Sequence, residues 1–254
     1  MRFISLQSGS SGNCLFVESG ETRLLFDAGL TGAQTEQRLA ALGIDINTIE
    51  AVILSHSHCD HTKGAGVLLR KYARPLWMTG GTYHHILAMR KVGQIGTPHF
   101  FRPEATLQFG SLTIETIPTM HDAPEGVCFV VDDGKKRLGI MTDLGCRFGA
   151  LKEAITTLDG ILIESDYDPV MLKNGPYDKS LQDRIRGSKG HLSNRECAEL
   201  LRDAGRKLRW ACLGHLSGNN NTPELALETH RQILGRKLPL YVASRRETSP
   251  VLEL

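Results

Sequence analysis

The sequence predicts an α/β fold in which two β-sheets pack face to face with helices outside, and three observations lead there. Short apolar runs fall into two groups, each followed by segments with helical spacing. The 254 residues exceed the usual domain size but stay within single-domain range for layered α/β folds, so residues 1–254 are expected to form one domain. The densest polar cluster, three histidines and an aspartate in residues 54–61, comes directly after an apolar run, where a strand would end.

The first quarter reads as a β-meander, with strands at residues 2–6, 14–18 and 23–26 separated by Gly/Ser turns. Asp27-Ala28-Gly29 ends the third strand, residues 35–42 have helical spacing before Gly43, and residues 50–54 make a buried strand. Thr62 is expected to cap a helix through Val67, Leu68 and Leu69. A strand at 75–79 and a helix at 82–90 follow. Further strands are expected at 106–109, 112–117, 127–131 and 138–141, the last two joined by an Asp132-Asp133-Gly134 hairpin. After a helix at 150–157 and a strand at 160–163, residues 165–190 read as an irregular functional insertion. Ser193-Asn194-Arg195-Glu196 is a capping-box pattern opening a helix that Gly205 stops, and residues 208–213 form a strand ending near His215.

A single histidine is more often a satisfied surface or core side chain than a ligand. His56, His58, Asp60 and His61 in H-x-H-x-D-H order are different, because neutral imidazole and carboxylate are the donors that zinc, manganese and iron accept. In a tight loop His56 and His58 point the same way, while Asp60 and His61 can turn toward a second ion. Cys59 fills a variable slot.

This loop resembles the signature of the metallo-β-lactamase superfamily, which implies an αββα four-layer sandwich. The resemblance extends along most of the chain. It implies that Asp27 orients the histidine loop from behind, and that His121, Asp143 and His215, each after an apolar run, complete the ligand set. His56, His58 and His121 would then hold one ion and Asp60, His61 and His215 the other, with Asp143 shared. Two divalent transition-metal ions (zinc or manganese, with iron acceptable) about 3.5–4 Å apart would activate a bridging hydroxide for attack.

The superfamily fold hosts lactam, thioester, lactone and phosphodiester hydrolysis, so the substrate must be read elsewhere. The segments 8–14, 171–177, 190–194, 214–217 and 220–224 resemble the YycJ/WalJ-type nucleases, implying a DNA exonuclease that acts from 5′ ends. Lys173, Lys179, Arg184, Arg186 and Lys189 against Asp178 and Asp183 give residues 173–189 a net charge of +3, suited to phosphates; Lys173, Arg184 and Arg186 are the substrate-binding candidates. His191 resembles the histidine that precedes a comparable helix in tRNA-maturing relatives, so with Asp60 it is a catalytic candidate. His84, His85, His99 and His230 lack ligand spacing and are read as structural.

The alternatives are a small-molecule hydrolase, such as a cyclic phosphodiesterase, lactonase or thioesterase, and a nucleic-acid-binding scaffold with a structural metal. The scaffold fits less well, since structural zinc is usually closed by four ligands rich in cysteine. The net charge of +2 neither demands nor excludes a polyanionic partner. Six scattered cysteines suggest reduced thiols, and residues 1–9 turn polar too early for a signal peptide. With no apolar run of about 18 residues, the chain is expected to be cytoplasmic and off the membrane. The sequence leaves its oligomeric state open.

Overall fold

Alternation of side chains along the strands decides the layers. In the third strand Leu24 and Phe26 face one side and Leu25 the other, and the two sides meet different partners. The computed structural model describes residues 1–90 and 92–254.

The first sheet contains β1 (Arg2–Gln7), β2 (Cys14–Ser19), β3 (Thr22–Phe26), β4 (Ala51–Ile53), β5 (Leu76–Thr79) and β6 (His99–Phe101). The second contains β7 (Thr106–Phe109), β8 (Leu112–Pro118), β9 (Val127–Asp132), β10 (Arg137–Met141), β11 (Gly160–Glu164), β12 (Trp210–Gly214) and β13 (Leu240–Val242). Each sheet keeps chain order, except that β14 (Leu252–Glu253) returns to pair with β1.

Between the sheets Phe3, Phe26 and Ile53 pack with Phe129, Leu162 and Trp210, and the Phe26 and Phe129 ring centroids are 5.0 Å apart. Each such buried side chain contributes about 1.5–3 kcal/mol. On the outside of the first sheet, Leu25 and Val52 meet Leu39 of α1 (Gly32–Ala41), Leu68 of α3 (Ala65–Tyr72) and Ile86 of α4 (Gly80–Met89). On the outside of the second, Ile161 and Leu213 meet Leu151 of α5 (Gly149–Thr157), Leu201 of α8 (Asn194–Ala204) and Ala226 of α9 (Pro223–Leu234). These are the four expected layers.

The pairings β3–β4 and β10–β11–β12–β13 are parallel. Their carboxyl ends therefore lie along one edge of the sandwich, where every polar residue of interest emerges. The hairpin expected at Asp132–Gly134 is present, with Gly134 at φ +80°. The Ser193–Glu196 capping box also forms.

Two expectations are corrected, and three strands are added. Thr62 does not cap the helix after the histidine loop; it closes a single helical turn, α2 (Cys59–Thr62), and its hydroxyl donates to the His58 carbonyl at 2.9 Å, while α3 starts beyond Gly64. Residues 165–190 are not irregular. They hold α6 (Pro169–Asn174) and α7 (Lys179–Arg186), nucleated by the aspartate caps Asp168 and Asp178. Both helices are short, and their apolar faces are small: Leu172 in α6, and the half-buried pair Leu181 and Ile185 in α7. The short edge strands β6, β13 and β14 were also not anticipated, since two or three residues give no readable period.

Candidate metal centre

Asp27, Asp143 and His215 follow the ends of β3, β10 and β12, and all three have left-handed backbones, at φ +64°, +56° and +55°. A non-glycine residue in that region costs about 1–3 kcal/mol and persists where the surroundings over-determine it. Here it halts each strand and turns a polar side chain into the shared edge. His56 and His58 emerge just after β4, and α2 then carries Asp60 and His61 back toward them.

The ring and carboxylate atoms of these residues converge. His56, His58 and His121 form one group whose donor atoms lie within 4.8 Å of one another, and Asp60, His61 and His215 form another. Asp143 falls in a group with His56 and His61 and in one with His215, so it stands between the two. Its Oδ2 lies 3.2 Å from His61 Nε2, and its Oδ1 lies 3.6 Å from both His121 Nε2 and His215 Nε2.

Neighbouring groups fix which nitrogen is free in three of the rings, those of His61, His56 and His121. His61 Nδ1 donates to Asp27 Oδ2 at 2.7 Å, leaving Nε2 for the cleft. The other oxygen of Asp27 accepts from the backbone N–H and the hydroxyl of Ser55, both at 2.8 Å. Ser55 Oγ in turn lies 2.9 Å from His56 Nδ1, so its acceptance of that proton frees His56 Nε2. His121 Nδ1 donates to the Gly190 carbonyl at 3.0 Å. His56 Nε2 is buried with no hydrogen-bond partner, and His58 Nδ1 faces His121 Nε2 at 3.2 Å. Clustered, desolvated lone pairs of this kind cost free energy unless a cation sits among them, so the donor set fits divalent metal.

Electrostatics divides the cluster. Burial holds the His56 pKa well below its ordinary value, and burial together with His121 lowers that of His58, so these rings are neutral donors. Burial also opposes charge on His61, but the carboxylates of Asp27, Asp143 and Asp60 overcome it and raise its pKa well above normal. His215 rises to about 9 against burial, chiefly through Asp143 and Asp60. The carboxylates themselves, Asp143 and Asp60, are held low despite burial by the histidines around them. That half of the edge is rich in negative charge.

The sequence reading missed Glu164, the last residue of β11, which is fully buried. Its Oε1 accepts from His191 Nδ1 at 2.6 Å, and its Oε2 accepts the backbone N–H groups of Leu144 and Leu192, both at 3.1 Å. Burial opposes charge on His191, but Glu164 and Asp166 raise its pKa to about 10. Asp166, also unanticipated, is pushed up to about 6 by burial. The strand-end signal that marked Asp143 and His215 was present at Glu164 too, behind Ile161-Leu162-Ile163.

The substrate-binding candidates are placed unevenly. Lys173 is exposed on α6. Arg184 on α7 pairs with Asp122 at 2.7 Å, and Asp122 Oδ1 lies 3.4 Å from both His58 Nε2 and His121 Nε2, so this guanidinium stands at the lip of the cluster. Arg186 pairs with Asp183 at 2.8 Å, and Lys179 reaches the same carboxylate. Asp183 is already subtracted in the +3, whereas Asp122 lies outside residues 173–189 and offsets one further charge, that of Arg184. Of the histidines read as structural, His85 Nδ1 lies 2.6 Å from Ser57 Oγ and so braces the histidine loop.

Among the described residues no helix is long and apolar enough to cross a membrane. The metallo-beta-lactamase superfamily matches residues 8–183 of the chain. The chain is 35% identical over 230 residues to the exodeoxyribonuclease WalJ of Streptococcus pneumoniae, covering 89% of this chain and 85% of that protein. It is 33% identical over 240 residues to the exodeoxyribonuclease YycJ of Bacillus anthracis, covering 93% and 90% respectively. The metallo-beta-lactamase fold protein YhfI from Bacillus subtilis superposes with a TM-score of 0.76 at 17% identity, covering 100% of this chain and 99% of that one.

Proposed function

The chain belongs to the metallo-beta-lactamase superfamily, and from that premise we propose that residues 1–254 act as one cytoplasmic catalytic unit that hydrolyses DNA from 5′ ends with two divalent ions. The likeness to two exodeoxyribonucleases over most of the chain carries the choice of substrate. In this reading His56, His58 and His121 hold one ion, Asp60, His61 and His215 the other, and Asp143 both. Mixed nitrogen and oxygen donors suit zinc or manganese. When bound, the ions supply an acidified water as nucleophile and positive charge for the leaving oxygen.

The chain's own residues do the rest. Asp27 and Ser55 keep the rings of His61 and His56 in one tautomer and orientation, which spares that ordering at the moment of reaction. Asp60, less buried than Asp143, presents its carboxylate to the cleft and orients the attacking water. His191, held by Glu164 through Nδ1 and kept protonated by it, offers its second N–H to the leaving oxygen. Arg184 at the lip, together with Lys173 of α6 and Arg186 of α7, holds phosphates.

End-labelled single- and double-stranded DNA and RNA, with a generic phosphodiester and a lactone panel, test this in manganese or zinc. A ladder growing from the 5′ end of DNA is expected. Turnover of the small esters or lactones alone would select the small-molecule hydrolase instead.

A further inference from the structure

A cavity of about 360 Å³ opens one strand beyond His215, between the loop after β12 and the loop after β13. The two strands are parallel, with Leu213 opposite Val242, so residues just past each end stand side by side, about 4.8 Å apart in the sheet direction. The cavity therefore lies on the same edge as the candidate metal centre. Its walls include Leu216, Pro223 and Val242, its charged groups are Arg245 and Arg246, and no carboxylate lines it.

Arg245 is seated with unusual care. A Cβ at Gly218 would stand 1.4 Å from Arg245 Nη1 and 2.4 Å from Cζ, and one at Gly9 would stand 2.8 Å from its Cγ. Two glycines thus clear the path for this side chain, its stem against one loop and its guanidinium against the other. Both loops adjoin the centre. Ser8 accepts from the His215 N–H at 2.9 Å, and Asn13, which pins Gly9 through hydrogen bonds of 2.8 and 3.1 Å, lies 2.9 Å from His61 Nε2. Arg245 Nε is nevertheless buried without a hydrogen-bond partner, and among the described residues no carboxylate pairs with the guanidinium. Folded proteins seldom leave such a donor unanswered, and an anion answers it best.

We propose that this cavity is the subsite for the terminal 5′-phosphate and first nucleotide of the DNA, with Arg245 on the phosphate and the base against Leu216, Pro223 and Val242. The proposal rests on the nuclease reading and extends it. A phosphate anchored one strand from His215 sets the next linkage of the same strand at the centre, which makes cleavage start at the end of the chain. It also makes the enzyme selective for phosphorylated ends.

The test uses the full chain with manganese and two oligodeoxynucleotides that differ only in a 5′-phosphate or 5′-hydroxyl, beside a generic small phosphodiester. The parent should favour the phosphorylated end in kcat/KM by on the order of 10- to 100-fold, the range for hydrogen bonds to a charged group. Arg245→Gln should abolish that preference while sparing the small diester. Gly218→Ala should do the same by displacing the guanidinium without removing its charge. Calorimetry on the parent should show a deoxynucleoside 5′-monophosphate binding more tightly than its 3′ isomer. A parent that cuts both ends equally, or prefers a 3′-phosphate, overturns the subsite and leaves the nuclease reading standing. An Arg245→Gln protein that loses both ends and the small diester alike makes Arg245 structural and also overturns it. A parent that hydrolyses the small diester but no DNA removes the nuclease reading itself.

Discussion

The two halves of the candidate centre are built from different chemistry. The half formed by His56, His58 and His121 offers three imidazoles, two of them kept neutral by burial and by neighbouring rings. The half formed by Asp60, His61 and His215 is surrounded by Asp27, Asp143 and Glu164, which push its histidines toward the charged form. An imidazole half holds metal by neutral, borderline nitrogen donors with pre-aimed lone pairs. An acidic half holds it by unbalanced charge, and its occupancy should respond more strongly to pH and to competing hard cations.

Asp143 is the one group common to both halves, so its loss should have the largest effect. Asp143→Ala is expected to lower turnover by on the order of 10⁴-fold, the worth of several kcal/mol of lost charge stabilisation, with metal content near zero by elemental analysis. If one half alone emptied, Asp143 would belong to that half.

Beyond the ligands, His191→Ala should reduce kcat on DNA by on the order of 10²-fold with metal content unchanged. Glu164→Gln should copy part of that loss. It should also move the alkaline limb of the pH–rate profile to lower pH, because Glu164 raises the His191 pKa and a proton donor fails once it deprotonates. An unmoved profile would reduce Glu164 to a packing role.

Asp27→Asn tests the acidic half from behind, since its carboxylate holds His61 Nδ1. Affinity for one ion should weaken about 10- to 100-fold, the usual cost of losing such support, and a chelator titration would read it. Equal weakening of both ions would show that Ser55 transmits the damage to His56 as well.

The smallest expected effects come from the basic side chains of α6 and α7. Removing the charge of Lys173, Arg184 or Arg186 should lower the salt slope of duplex binding by about 0.9 for each phosphate that side chain neutralises. Both arginines are ion-paired, so position ranks them: Arg184 should contribute more than Arg186, because Asp122 places it beside His58 and His121. A fluorescence titration across salt concentrations would rank them.

How much of this could be read from the sequence follows from how local each signal is. The histidine loop is contiguous, and His121, Asp143 and His215 each end an apolar run, so resemblance could find them. Glu164 stands in the same place but reads as the tail of a strand. Its importance comes from His191, 27 residues on, which only the fold brings within 2.6 Å. Asp122 and Arg184 meet across 62 residues for the same reason. The layers were legible because β1 to β4 and β9 to β11 are short, nearly continuous apolar runs, as strands buried on both faces must be, and because the family resemblance implies their αββα stacking. Helices α6 and α7 were hidden because caps rather than apolar faces define them. The seat of Arg245 depends on two glycines more than two hundred residues apart, which no local pattern reveals.

The most direct test of two unlike halves is metal content paired with turnover, measured on the parent and on Asp60→Ala, both purified without chelator. The account predicts about two transition-metal ions per chain in the parent and about one in the variant. The remaining ion should be held by the imidazoles, and DNA turnover should be lost while DNA affinity is kept. A parent that is fully active with a single tightly bound ion, or an Asp60→Ala protein that keeps both ions and its full rate, would contradict it.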